Sequence, residues 1–289
     1  MTHGSPLVAA LWMIGAIVSF SAMAVAGRAV SFELDTFEIM LYRSLIGMVV
    51  VILVARFAGT LHQITLRSPG THMIRNLSHF AGQNLWFYAI TVIPLAQVFA
   101  LEFTGPLWGL LLAPLVLRER LTPSRAFTAI LGFIGILIVT RPSPDTVSIG
   151  VLAAALAAVG FAGSIVFTRK LTRTETLTCI LFWMTVLQAG FGVICAGYDL
   201  DIALPGLATL PWVVLIGLGG LVAHFCLTTA LSLAPATVVM PVDFARLPLI
   251  AVIGMMFYSE PIDLFVILGA VVIFAANYVN IWLETRKTT

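Results

Sequence analysis

The sequence predicts an all-α integral membrane protein, with ten transmembrane helices arranged as two inverted five-helix repeats around a central cavity. Three observations predict it. The 289 residues are 60% hydrophobic and only 10% charged, against roughly 25% charged in soluble domains, and mean hydropathy is +1.07. Ten apolar segments approach the length of about 20 residues that a spanning helix needs. Polar residues inside those segments recur at a fixed offset of 141 positions.

The first span is Leu7–Gly27. It has no basic stretch before it and is long enough to cross, so it reads as a helix of the mature chain rather than a cleavable leader. The second, Thr36–Ala55, carries Arg43 five positions after Glu38. That arginine is expected to snorkel to the outer surface or to pair with Glu38. The third, His72–Val92, carries Asn76, His79 and Gln83 at spacings of three and four, with Asn84 beside them. Such a stripe needs a cavity or a polar helix to face. Gln83 is a candidate wall residue, and His79 could titrate near neutral pH or simply join helices.

The fourth span, Leu95–Leu117, holds Glu102 in its middle, followed by Thr104, Pro106 and Trp108. A carboxylate at membrane depth is costly and suggests function. Pro106 has no N–H, which frees the carbonyl of residue 102, so a kink and a carboxylate coincide. Glu102 could bind a cationic group or carry a proton, or it could be a permanent structural ion-pair partner. The fifth span, Pro123–Thr140, contains Gly132 and Gly135. The sixth, Ile149–Thr168, is rich in small residues (Ala153 to Ala158, Gly160, Ala162, Gly163), which allow close or sliding helix contacts. The seventh is Thr176–Gly197.

The eighth span, Pro211–Leu233, has Gly217, Gly219, Gly220 and His224. The ninth, Thr237–Tyr258, carries Asp243 and Arg246 three apart, hence on one face, between Pro241 and Pro248. The tenth, Ile262–Leu283, presents Asn277 and Asn280 on a shared face, for bonds between helices or a homodimer contact. Trp12, Trp212 and Trp282 near span ends read as interface anchors. Trp86, Tyr88, Phe99, Phe103, Phe161, Phe225 and Phe244 could wall a cavity or simply pack.

Lysine and arginine set the orientation. With a cytoplasmic N-terminus, the inside loops hold Arg56, Arg67, Arg75, Arg118, Arg120, Arg125, Arg169, Lys170, Arg173, Arg286 and Lys287, and the outside loops only Arg28 and Arg141. The remaining basic residues, Arg43 and Arg246, lie inside spans. This asymmetry places both termini in the cytoplasm of a multi-pass inner-membrane protein.

The offset maps Arg28 to Arg169, Tyr42 to Trp183, Gln83 to His224, Ala89 to Ala230, Pro94 to Pro235, Glu102 to Asp243 and Glu119 to Glu260. The chain therefore divides into residues 1–141 and 148–285, with five spans each. Five is odd, so the second half enters the membrane with opposite polarity, a transporter arrangement that places substrate near the midplane. Glu102 and Asp243 should then approach each other, with Arg246 pairing one or both. Two carboxylates and one guanidinium leave one formal negative charge, to be met by a proton or a substrate ammonium.

Several classes are excluded or poorly served. Cys179, Cys195 and Cys226 have no metal-ligand spacing and read as small buried hydrophobes. His79 and His224 lack a third ligand, so neither a metal nor a cofactor is expected. No phosphate-binding loop, zinc-protease helix motif or nucleophile elbow occurs. The net charge of +2, with its basic residues in short loops, gives no surface for nucleic acid. A lipid-modifying enzyme would need a nucleophile–base set, and the loops offer only Arg and Glu pairs such as Arg118–Glu119.

These residues carry a resemblance. Each half pairs a proline-started fourth helix with a glutamate at its end (Pro94 and Glu119, Pro235 and Glu260). A glycine-rich fifth helix closes with Thr140, Arg141 and Pro142, and Arg43 sits in the second helix. The chain resembles the drug/metabolite transporter superfamily of the EamA type along its whole length. The resemblance implies secondary transport of small metabolites through a cavity lined by spans 1, 3, 4, 6, 8 and 9. Alternating access is the implied mechanism, with efflux of amino acids or related compounds first and uptake of a vitamin, nucleoside or similar metabolite as the alternative. The expected substrate and coupling residues are Glu102, Asp243, Arg246, Gln83, His224, His79, Thr104 and Trp108, with a proton as the candidate coupling ion. Spans 5 and 10 are expected at the periphery.

Overall fold

A computed structural model describes residues 6–118, 123–141, 148–233, 239, 242–243 and 245–288. Glu119, Arg120, Pro142, Pro235, Pro241 and Phe244, singled out above, lie outside the described residues, as do the side chains of Arg125, Arg286 and Lys287.

The described elements are helical. They are α1 (Pro6–Val30), α2 (Thr36–Phe57), α3 (Pro69–Val92), α4 (Leu95–Glu102), α5 (Gly105–Leu117), α6 (Pro123–Thr140), α7 (Ile149–Leu171), α8 (Leu177–Ala196), α9 (Leu210–Leu233), α10 (Arg246–Tyr258) and α11 (Leu264–Thr288), with a short 3-10 turn at Leu61–Gln63. Among the described residues, six stretches are long and apolar enough to cross a membrane, α4 and α5 counting together as Leu95–Leu117. Helix starts follow local chemistry. Asp35 and Glu38 form a reciprocal capping box at α2. Ser148 and Thr176 accept from backbone N–H groups at the starts of α7 and α8. Pro69 opens α3, where its missing N–H costs nothing.

The element bounds recur at the sequence offset. Shifted by 141, α3 (Pro69–Val92) falls on α9 (Leu210–Leu233), and α5 (Gly105–Leu117) falls on α10 (Arg246–Tyr258). Both α5 and α10 stop at a left-handed residue, Arg118 (φ 58°) and Ser259 (φ 55°), which are equivalent under the same shift. The most intimate pairings are α1 with α9, α3 with α7, α6 with α11 and α2 with α8.

Backbones meet where side chains vanish. A Cβ on Gly160 would lie 2.8 Å from Gly82 Cα and 2.9 Å from the Ser78 carbonyl oxygen, so α7 and α3 touch main chain to main chain. A Cβ on Gly269 would lie 2.7 Å from the Gly135 oxygen, so the glycine-rich fifth span is shaped to receive α11.

The fourth span differs from the single kinked helix expected. It breaks at Phe103–Thr104 into α4 and α5. Pro106 removes one ladder bond. The Phe103 carbonyl then accepts from Asn277 Nδ2 at 2.8 Å, so the break is met from α11. Asn277 is therefore buried inside the chain rather than offered to a second copy, and Asn280 faces Thr128 of α6 at 3.5 Å. Arg75 is also corrected. It is no loop charge but is buried in α3, donating to Thr168 at 3.1 Å and to the Asn76 side chain at 2.8 Å.

Candidate functional site

The α4–α5 break and the residues just before α10 bring the costliest side chains together. Arg246 Nη1 lies 3.2 Å from Glu102 Oε1, and Nη2 lies 3.2 Å from Asp243 Oδ2. One guanidinium thus serves both carboxylates, where the sequence predicts a pairing with one or both. Trp86 Nε1 donates to Glu102 Oε2 at 2.8 Å. The guanidinium carbon stands 4.8 Å from the ring centre of Phe20, 4.9 Å from Phe103 and 5.1 Å from Phe99, within cation–π range. Arg246 and Asp243 are 4% and 6% exposed. Asp243 Oδ1 and Arg246 Nε have no hydrogen-bond partner among the described residues. The cluster has a formal charge of −1 in an apolar surround, and a buried charge persists only when paired or neutralised.

A second polar group lies on α2 and α3. Arg43 neither snorkels nor pairs with Glu38. Its Nη1 donates to Gln83 Oε1 at 2.6 Å, while Glu38 is used by the capping box and by the Ala203 N–H. Gly220 leaves room for this arginine, since a Cβ there would sit 2.8 Å from Nη2. Arg43 and His79 line a cavity of about 30 Å³ with Met40, Ser44, Gln188 and Leu221. That space admits a water or so rather than a metabolite. A larger space of about 390 Å³ lies beside α4, α10 and α11, lined by Ala96, Leu247, Pro248, Glu260, Val266 and Phe274.

The expected site residues separate accordingly. Glu102, Asp243 and Arg246 come together. Gln83 and His79 join Arg43. His224 is exposed on α9, edge-on to Phe20 with 5.5 Å between centroids, and Phe20 in turn covers Arg246. Thr104 and Trp108 do not reach the cluster. The Thr104 hydroxyl donates to the Leu101 carbonyl at 2.6 Å and receives the Trp108 indole N–H at 3.2 Å, and Trp108 packs edge-on to Phe133. The stripe on α3 also splits, because Asn76 turns to α8 and accepts Gln188 Nε2 on its carbonyl at 2.9 Å.

Three groups escaped the sequence reading. Arg28, expected as a loop charge, forms an ion pair with Glu260, donates to the carbonyls of Ile90 and Ile93, and lies over the Tyr258 ring. Glu260 Oε2 accepts the Leu95 N–H at 2.9 Å, giving α4 an anionic cap from the other half of the chain. Glu33 accepts from Thr209 and from the Gly206 N–H across two loops, and those two bonds hold its carboxyl below the usual range. The third group is His72, Glu175 and Cys179, which converge within 4.8 Å. Glu175 and Cys179 stand four residues apart at the start of α8, but His72 comes from α3, about a hundred positions earlier, so local spacing alone does not announce the trio.

Comparison with known proteins follows the fold. The profile of the EamA-like transporter family matches twice, over residues 7–141 and 148–282. A riboflavin transporter of Brucella anthropi is 33% identical over 212 residues, covering 72% of this chain and 75% of its own. An S-adenosylmethionine uptake transporter of Rickettsia bellii is 27% identical over 276 residues, covering 95% and 94%. A riboflavin transporter of Vibrio cholerae is 27% identical, covering 98% and 96%. One solved crystal structure aligns over 99% of this chain and 100% of its own with a TM-score of 0.65 at 20% identity, a likeness of fold alone.

Proposed function

Since the chain belongs to the EamA-like transporter family, we propose that it is an uptake carrier for a vitamin, nucleoside or similar nitrogen-heterocyclic metabolite, working by alternating access. It is a multi-pass membrane protein that moves a small molecule. The observation that carries the mechanism is the buried Glu102–Arg246–Asp243 cluster at a helix break. Substrate class rests on the relatives, named a riboflavin transporter and an S-adenosylmethionine uptake transporter, and direction on the second of these names. Export of amino acids, the first expectation, draws no support from those names.

The two halves, residues 1–141 and 148–285, are inverted repeats in this reading. The pairings support it. A shift of 141 turns the α1–α9 contact into the α7–α3 contact and returns α2–α8 and α6–α11 to themselves, as a twofold axis demands. Substrate binds between the halves near Glu102, Asp243 and Arg246, with Gln83, His79 and His224 flanking. The rings of Phe20, Phe99 and Phe103 suit a flat heterocycle stacked in place of, or beside, the guanidinium. The break at Phe103–Thr104 serves as a hinge, because its backbone is already outside the helical ladder. Both termini face the cytoplasm of the inner membrane, and a proton entering the cluster couples transport.

The test is uptake of labelled riboflavin and labelled S-adenosylmethionine into proteoliposomes, with and without a proton gradient. The native chain is expected to accumulate one of them. Glu102→Gln is expected to lose gradient-driven accumulation by at least about tenfold while keeping exchange. Accumulation of neither compound, with export of amino acids instead, would overturn the uptake reading. Normal accumulation by Glu102→Gln would remove the cluster from the mechanism.

A further inference from the structure

We propose that the chain carries a second site, for a zinc-class divalent transition metal, formed by His72, Glu175 and Cys179. The proposal does not depend on what the chain transports. One nitrogen of His72, one carboxylate oxygen of Glu175 and Cys179 Sγ all lie within 4.8 Å of one another. His72 is 1% exposed, Cys179 0% and Glu175 9%. Both His72 nitrogens and Glu175 Oε1 have no hydrogen-bond partner among the described residues. A buried imidazole with two unused nitrogens, beside an unused carboxylate oxygen and a thiol, is an unfavourable arrangement as it stands. A metal ion would take one His72 nitrogen, a Glu175 carboxylate oxygen and the Cys179 sulfur as ligands.

The surroundings prepare the ligands. Thr65 Oγ1 donates to Glu175 Oε2 at 2.8 Å, which fixes the carboxylate and leaves Oε1 free. The Thr65 N–H points at Cys179 Sγ at 3.4 Å, and Cys179 lies in the first turn of α8. The Cys179 thiol in turn donates to the Thr65 carbonyl at 3.5 Å, so Thr65 orients the sulfur as well as the carboxylate. Trp183 donates to the Thr65 carbonyl at 2.8 Å and so anchors the orienting residue. The Arg75 guanidinium, one turn along α3, is engaged by Thr168 and Asn76.

The donor set selects the ion. One imidazole, one thiolate and one carboxylate match zinc, with a fourth position left for water. Metal–ligand bonds of about 2.0–2.3 Å place tetrahedral ligand atoms roughly 3.3–3.8 Å apart, so side-chain rotation of about 1 Å closes the site. On binding, the Cys179 thiol loses its proton to water and the S–metal bond forms, with no change of oxidation state. Thiolate, carboxylate and a dication sum to zero charge, which suits a buried site. The ion would tie the start of α3, in the first half, to the α7–α8 connection and the start of α8, in the second.

The experiment uses the full chain in detergent, without a polyhistidine tag, stripped with chelator and titrated with Co²⁺ and then Zn²⁺. One equivalent of Co²⁺ is expected to give thiolate-to-metal absorption in the near ultraviolet, displaced by one equivalent of Zn²⁺. Cys179→Ser should abolish the absorption, and the Cys195→Ser/Cys226→Ser chain should keep it. His72→Gln and Glu175→Gln should each weaken binding by more than about tenfold. Absence of the absorption at one equivalent, or its survival in Cys179→Ser, would overturn the proposal. Alkylation supplies a readout free of site variants. In the Cys195→Ser/Cys226→Ser chain, Zn²⁺ should slow maleimide labelling of Cys179, and an unchanged rate would count equally against the site.

Discussion

At the scale of single residues, Arg246 holds Glu102 and Asp243 together. It is buried, touches two carboxylates and is covered by three aromatic rings. Removing one partner of a buried ion pair costs about 3–5 kcal/mol, because the remaining charge is stranded. Arg246→Met is therefore expected to lower stability in detergent by roughly that amount and to abolish transport. The triple variant Arg246→Met, Glu102→Gln, Asp243→Asn should regain most of the stability and none of the transport. Thermal unfolding and uptake, measured on the same preparations, separate the two effects. A triple variant that transports would show the cluster to be structural only. The pairing itself was legible in the sequence, because the offset of 141 superposes Asp243 on Glu102. The role of Arg43 was not. Its partner Gln83 is 40 residues away, on another helix, and nothing local distinguishes that contact from the nearby Glu38.

At the scale of elements, the helices are held by a few backbone approaches. Gly160 and Gly82 let α7 and α3 meet without side chains between them. Gly160→Ala places a methyl 2.8 Å from a Cα that cannot move aside, so it should destabilise by about 1–3 kcal/mol. Gly109→Ala is the control. A Cβ there meets nothing within 4 Å, and the change should be neutral or slightly stabilising. Melting temperatures of the two variants check this, and equal values would remove the close-approach argument. Small residues were visible in the sequence as a composition bias. Which glycine faces which neighbour depends on crossing geometry, which composition does not contain. The break of the fourth span has the same character. Pro106 marks a weak point, but it is Asn277 of α11 that satisfies the exposed Phe103 carbonyl and makes a full break stable.

At the scale of the whole molecule, Arg28, Glu260 and the start of α4 form a latch between the halves. Glu260 pairs Arg28 and caps Leu95 together. A hydrogen bond involving a charged group contributes about 1.5–3 kcal/mol, so Glu260→Gln should raise opening of this end by about tenfold or more. Hydrogen–deuterium exchange over residues 93–98 would read it as faster exchange of the Leu95 amide. Unchanged exchange would show that the latch does not hold that end closed.

The membrane class, the succession of apolar segments and the doubling of the chain were determined by the sequence alone, because hydropathy and a long-range repeat are properties of residue order. The convergence of Glu102 and Asp243 followed from the same repeat. Only the tertiary structure decided which polar groups meet across unrelated segments: Arg43 with Gln83, Glu260 with Arg28 and Leu95, and His72 with Glu175 and Cys179. The physical reason is that a buried polar atom must find a partner in three dimensions. In a helical bundle that partner stands on a neighbouring helix, at a sequence distance fixed by packing and not by any local pattern.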